Sequence, residues 1–154
     1  MKLYLVQHGE AVDKTVDPER PLSEEGDQDV KAMAGFLAAA GVRVERVWHS
    51  GKRRAEQTAD VLAKSVIKAG VIEAITGINP NDDVTAFAQD ADVWEQDTLV
   101  VGHLPFMARL VAYLVTGEAN AATVAFRPGS IVCLERDGNG GWQILWMVRP
   151  GLLG

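Results

Sequence analysis

Three histidines occur in the 154-residue chain, and two of them stand at the ends of apolar runs. His8 follows Leu3-Tyr4-Leu5-Val6 and Gln7, and His103 follows Thr98-Leu99-Val100-Val101-Gly102. A third polar cluster, Ser50-Gly51-Lys52-Arg53-Arg54, follows the run Val44 to His49. A neutral imidazole, with an unperturbed pKa of about 6.5, is a fair nucleophile near pH 7. Arginine beside it can hold an anion. Taken singly, each residue also has a plain structural reading. His8 could cap a strand, His103 could shape the turn into Leu104-Pro105, and Arg20, Lys52, Arg54 and Glu56 could be surface charges. His49 reads as a polar strand end. Ser50 could lend its hydroxyl to a site or cap the following helix, and the cap is favoured.

What would lift these residues above the plain readings is convergence, and that depends on the elements around them. Leu3 to Val6 is continuously apolar, as in a strand covered on both faces of a parallel sheet. Residues 9–21 read as a polar loop. Ser23 can cap a helix whose positions Val30, Met33, Ala34, Leu37 and Ala38 follow helical spacing, with Gly41 ending it. Val44 to His49 reads as a second strand and Lys52 to Ala69 as a helix, closed by Gly70. Val71 to Ile75 is a third strand, and Asn79-Pro80-Asn81 opens a helix to about Ala91. Thr98 to Gly102 is a fourth strand, with a helix after it to about Val115. Ser130 to Glu135, the turn Asp137 to Gly141, and Trp142 to Val148 form a hairpin. Alternating strands and helices predict an α/β fold: a three-layer α/β/α sandwich on a mostly parallel sheet, one domain over 1–154. In such a sheet ligands bind beyond the carboxyl ends of the strands. His8, His103 and at least one arginine therefore gather at one edge.

Composition narrows the chemistry. The chain carries a net charge of −6 and 47% apolar residues. Nucleic-acid binding expects a basic footprint and is disfavoured. An anionic substrate needs a local positive pocket on this acidic body. Cys133 is the lone cysteine, read as a buried structural thiol, so no disulfide forms within the chain. No Cys/His spacing suggests zinc, and no glycine-rich phosphate loop is present. Neither a secretory signal nor a run of roughly 20 apolar residues occurs, so a cytoplasmic location without membrane contact is expected.

Leu5-Val6-Gln7-His8-Gly9-Glu10 resembles the Arg-His-Gly motif of the histidine phosphatase superfamily. Arg20-Pro21-Leu22-Ser23, Ser50 to Thr58, and Val101-Gly102-His103-Leu104-Pro105 resemble, in order and spacing, its SixA-type phosphohistidine phosphatases. The resemblance spans nearly the whole chain. It implies a phosphoglycerate mutase-like fold, no cofactor and no metal. It implies that His8 is the nucleophile and forms a phosphohistidine intermediate. His103 would donate to the phosphoryl oxygens, with Arg54 and the loop Arg20 as their cationic partners. The implied substrate is a phosphohistidine-containing protein, a phosphotransfer domain or a phosphotransferase carrier. Physical logic agrees, because phosphoryl transfer needs an in-line nucleophile and fixed positive donors around the equatorial oxygens.

One residue departs from the motif. Gln7 stands where the family has arginine; it can donate to phosphate but brings no charge and no guanidinium fork. Losing that cation should also leave His8 easier to protonate. Lys52 or Arg53 could partly substitute. No clear proton donor to a leaving group is evident, although Asp82 or Asp83 could serve. A histidine leaving group departs as near-neutral imidazole and needs an acid far less than an alkoxide, which favours P–N substrates. Two rival readings are a phosphatase for small phosphate esters and a phospho-ligand binding module weakened by Gln7.

Overall fold

The structure, a computed structural model, describes residues 1–154 apart from the side chains of Lys68 and Ala69. Its central strands are those whose sequence is apolar on both faces. β1 (Lys2–Gln7) and β4 (Thr98–Gly102) pair in parallel, with Gln7 opposite Gly102. Tyr4 and Val6 pack on one side of the sheet, and Leu3 and Leu5 on the other. Burying such side chains fully contributes about 1.5–3 kcal/mol each. The strand that carries His8 is therefore held from both faces.

Helices α1 (Glu24–Ala39) and α2 (Arg53–Val66) cover one face, with Val30, Met33, Leu37, Ala59 and Leu62 in that core. Ser23 caps α1, its hydroxyl accepting from the Gly26 N–H at 3.0 Å. Helices α3 (Val84–Ala91) and α4 (Phe106–Thr116) cover the other face through Phe87, Phe106 and Leu110. With β2 (Val44–His49), β3 (Ile67–Ala74) and the hairpin β5 (Ile131–Arg136) and β6 (Trp142–Val148), the sheet has six strands in the order β3-β2-β4-β1-β5-β6. β5 runs antiparallel to β1, and β6 antiparallel to β5. This is the three-layer α/β/α sandwich on a mostly parallel sheet that the alternation of elements predicts. Among the described residues no helix is long and apolar enough to cross a membrane.

Two boundaries differ from the expectation. α2 stops at Val66, and Ile67 turns extended (φ −82°, ψ 132°) to pair with Val44. Of the expected helical tail, Lys68 and Ala69 lie outside the residues whose side chains are described. Gly70 does not end a helix. It lies in β3, where a Cβ would come within 2.0 Å of the Glu45 carbonyl oxygen, beside the register shift between Val44 and Arg46. Sheet pairing overrides the helical periodicity there. α3 begins at Val84 and not at residues 79–81, because the Asp83 carboxylate caps it through the Thr85 N–H at 2.9 Å. Residues 79–82 instead close a turn, Asp82 N–H donating to the Asn79 carbonyl and Asn79 N–H to Asp82 Oδ2.

Candidate active site

Strand order decides what meets at the carboxyl edge. β4 lies between β2 and β1, so the residue after β4 has the ends of both neighbours beside it. His103 accordingly touches Ser50 on one side, Nε2 to Oγ at 2.6 Å. On the other side its ring centroid lies 4.9 Å from that of His8. The His8 backbone is fixed by its N–H, which donates to the Gly102 carbonyl at 3.0 Å. Its Nδ1 lies 2.7 Å from the Gly9 carbonyl.

Arg54 enters from the first turn of α2, and Arg20 from the loop between β1 and α1. Arg20 adopts a left-handed backbone (φ 49°), unusual for a residue with a side chain. Its Nε donates to the Val12 carbonyl at 3.1 Å. The charges of both arginines act on His8, on His103 and on each other. Lys52 also acts on His103, whereas Arg53 is exposed. Of the two residues offered as substitutes for the missing cation, Lys52 is the one near the histidines. A cavity of about 410 Å³ beside the site is lined by Glu19, Gly51, Lys52, Arg53, Arg54 and Glu56. Larger hollows lie elsewhere, one of about 580 Å³ among Trp48, Phe87 and Trp94. Among the described residues the ion pair found joins Lys31 and Asp27 of α1, so neither Arg20 nor Arg54 is paired with a carboxylate there. Unneutralised cations collected on an acidic chain have the charge to attract an anion.

Burial sets the protonation of both rings. It is the leading cause that lowers His8 to about 4, opposed by the Gly9 bond and reinforced by Arg54 and Arg20. Burial first, then His8 and the neighbouring cations, lower His103 to about 3. Losing a cation at position 7 still makes His8 easier to protonate than an arginine there would, but burial holds the ring below its ordinary value even so. Desolvation disfavours the imidazolium, and two other arginines remain. Burial, and then Arg20, also lowers Arg54 from its ordinary value.

Three buried side-chain atoms lack a hydrogen-bond partner in the described structure: Gln7 Oε1, Arg54 Nε and His103 Nδ1. All three belong to residues expected from the sequence to hold phosphate. Buried polar atoms are rarely left unpaired in a folded protein, so such a cluster points to a ligand's polar atoms. Among the described residues no group of three or more His, Cys, Asp or Glu side chains could hold a metal ion.

Several residues have other work than expected. Ser50 does not cap α2: the N-cap is Lys52 with no side-chain bond, and the short bond of Ser50 runs to His103. His49 Nδ1 accepts from the Gly51 N–H at 3.0 Å, a structural bond at the strand end. Asp82 and Asp83 are engaged in their turn and cap, and the Thr85 bonds hold the Asp83 carboxyl below its usual range, which makes it a poor proton donor. Thr58 gains a role the sequence reading did not give it. Fully buried, its hydroxyl accepts from the Gly9 N–H at 3.0 Å and donates to the Arg54 carbonyl at 2.8 Å. It thereby ties the His8 turn to the helix that carries Arg54. A hydroxyl four residues after Arg54, on a helix face otherwise lined by Ala55, Ala59 and Leu62, was the available signal.

Comparison with known proteins agrees with this arrangement. The sequence profile of the histidine phosphatase superfamily (branch 1) matches residues 3–78. The phosphohistidine phosphatase SixA of Escherichia coli K12 is 31% identical, covering 97% of this chain and 94% of that protein. The solved structure of the protein histidine phosphatase SixA complexed with tungstate superposes with a TM-score of 0.88 at 28% identity, covering 100% of both chains. A phosphoserine phosphatase from Entamoeba histolytica, solved with 3-phosphoglyceric acid, shares the fold at a TM-score of 0.72 and 13% identity, with 95% of each chain covered.

Proposed function

Since this chain belongs to the histidine phosphatase superfamily, we propose that it removes phosphate from phosphohistidine in a partner protein, through a phosphoryl group carried on His8. The observation that carries this reading is the 2.7 Å contact between His8 Nδ1 and the Gly9 carbonyl. A carbonyl oxygen only accepts, so the ring proton sits on Nδ1 and Nε2 keeps its lone pair. Burial keeps that ring neutral at pH 7, so the nucleophile needs no base to activate it.

The phosphoryl group of the substrate lies in line with Nε2. As the bond from Nε2 to phosphorus forms, the bond from phosphorus to the substrate's imidazole breaks. The departing ring, protonated on its other nitrogen, leaves as neutral imidazole. That suits a site for which the two acids offered by the sequence, Asp82 and Asp83, are engaged in their own turn and cap. Water then attacks phosphorus, the bond to Nε2 breaks with its electron pair returning to the nitrogen, both water protons leave with the phosphate as dihydrogen phosphate, and His8 is restored. Arg54, Arg20 and His103 hold the equatorial oxygens, with Gln7 as an uncharged fourth donor. The similarity to a phosphohistidine phosphatase supports a phosphohistidine-containing protein as the partner, and a phosphotransfer domain or a phosphotransferase carrier of the cytoplasm is proposed as that protein.

The test is hydrolysis of a labelled phosphohistidine carrier protein beside a generic aryl phosphate. Wild type is expected to prefer the carrier and to trap label on His8, and His8→Ala to do neither. Preference for the aryl phosphate, or carrier turnover that survives in His8→Ala, would overturn the reading.

A further inference from the structure

His103 is buried at 2% exposure, and its imidazole is neutral at pH 7. A neutral ring has one N–H donor and one bare acceptor nitrogen. Which nitrogen carries the proton decides whether the ring attracts or repels a phosphoryl oxygen. Two observations bear on that choice. Nε2 lies 2.6 Å from Ser50 Oγ, while Nδ1 is buried without a partner.

The Ser50 oxygen also accepts from the Lys52 backbone N–H, at 3.4 Å. With that N–H directed at the oxygen, the hydroxyl proton is free to point at Nε2. The chain then runs from Lys52 N–H to Ser50 Oγ–H to His103 Nε2, and the ring proton falls on Nδ1. In the opposite arrangement Nε2 would donate to Ser50, and Nδ1 would be a bare lone pair buried beside Arg54, Arg20 and His8. That lone pair would repel an anion drawn in by the arginines.

We infer that Ser50 is a positioning residue which, by donating to His103 Nε2, fixes the imidazole proton on Nδ1 and so makes His103 a hydrogen-bond donor to the bound phosphoryl group. The inference rests on the phosphatase reading for its catalytic consequence, but the tautomer itself can be observed without turnover. It also explains why the short bond of the Ser50 hydroxyl runs to a residue 53 positions away, with only a longer contact from the N–H of Lys52 at the start of the helix beside it.

The experiment uses the full-length chain, ¹⁵N-labelled, as wild type, Ser50→Ala and Ser50→Thr. The ring ¹⁵N shifts report which nitrogen is protonated. Wild type should show His103 protonated on Nδ1 and bare on Nε2. Ser50→Ala should admit the Nε2-protonated form and lower kcat on the phosphohistidine carrier about 10–100-fold, by analogy with partners that orient metal-ligating histidines. The His8 signals should stay in place, which separates this effect from misfolding. Ser50→Thr keeps the hydroxyl and should restore both readouts. Wild type protonated on Nε2 would overturn the inference. So would Ser50→Ala with an unchanged tautomer and rate. Should wild type not turn over at all, the phosphatase reading fails, and affinity for inorganic phosphate becomes the measure. It must then fall in Ser50→Ala and hold in Ser50→Thr, and equal affinity would overturn the inference.

Discussion

Gln7 is the residue at which this site departs most from what its chemistry would ask for. Its side chain is 8% exposed with Oε1 unpaired, and its backbone is held by Ser130 on one side and Gly129 on the other. Turned over, the amide offers N–H donors, but without charge or fork geometry. Arg54, Arg20 and Lys52 supply the remaining positive charge around the two histidines. Fixed charged donors act most strongly in the transition state, and losing one costs on the order of 10²–10³ in rate. Gln7→Arg is therefore expected to raise kcat on the phosphohistidine carrier about 10–100-fold, less than the full loss because three cations already serve. KM should change less. Steady-state kinetics on the carrier measures both, and a Gln7→Arg enzyme no faster than wild type would show that the amide is itself fitted to its ligand.

Among the elements, α1 decides where the His8 turn can sit. Gly26, in its first turn, faces the Glu10 carbonyl oxygen, and a Cβ at that position would come within 2.0 Å of it. The same carbonyl accepts from the Ser23 N–H at 2.9 Å, so the turn after β1 is pinned to the start of α1. Gly26→Ala should displace Glu10, and with it Gly9, whose carbonyl holds His8 Nδ1. The expected cost is about 1–3 kcal/mol of stability from overpacking, with a loss of turnover beside it. Gly35→Ala in the same helix is the control. Its Cβ would meet nothing within 4 Å, and the change should stabilise by about 0.4–1 kcal/mol. Denaturant midpoints and carrier turnover of the two variants check this, and equal behaviour would remove the steric argument. The same scale shows what could be read in advance. β1 and β4 were legible because both faces are apolar and buried, and their ends located His8 and His103. The end of α2 was not, because Ile67 leaves the helix to pair with Val44, a partner outside any local window. The bond from Ser50 to His103 was hidden for the same reason, since it exists only once β2 and β4 are neighbours. The start of α3 was local in origin but mistaken, with Asn79-Pro80-Asn81 read as the opening and Asp83 the actual cap.

For the molecule as a whole, the two histidines of the proposed active site form a link between function and stability. Unfolding returns both rings to water and to a pKa of about 6.5. In the folded state burial holds His8 at about 4 and His103 at about 3. Between about 6.5 and those lower values the unfolded chain binds more protons than the folded one. Stability therefore rises with pH in this window and falls as the solution is acidified. The slope can reach about 1.4 kcal/mol per pH unit for each ring. The contribution is fully present above about pH 6.5 and is progressively lost toward the folded values. Asp13 and Asp83, held below their ordinary range mainly by bonds from Thr15 and Thr85, add to acid sensitivity only near the carboxylate range. Turnover should hold between about pH 7 and 5, because His8 stays neutral there, even as stability falls. Urea midpoints at about pH 7, 6 and 5 should decrease in that order for wild type. The decrease should flatten in a His8→Gln, His103→Gln double variant, whose rings no longer titrate. A wild-type midpoint independent of pH over that interval, or an equal decrease in the double variant, would mean that the two rings are not held neutral by the fold. The expectation that turnover holds down to about pH 5 would then fail with it.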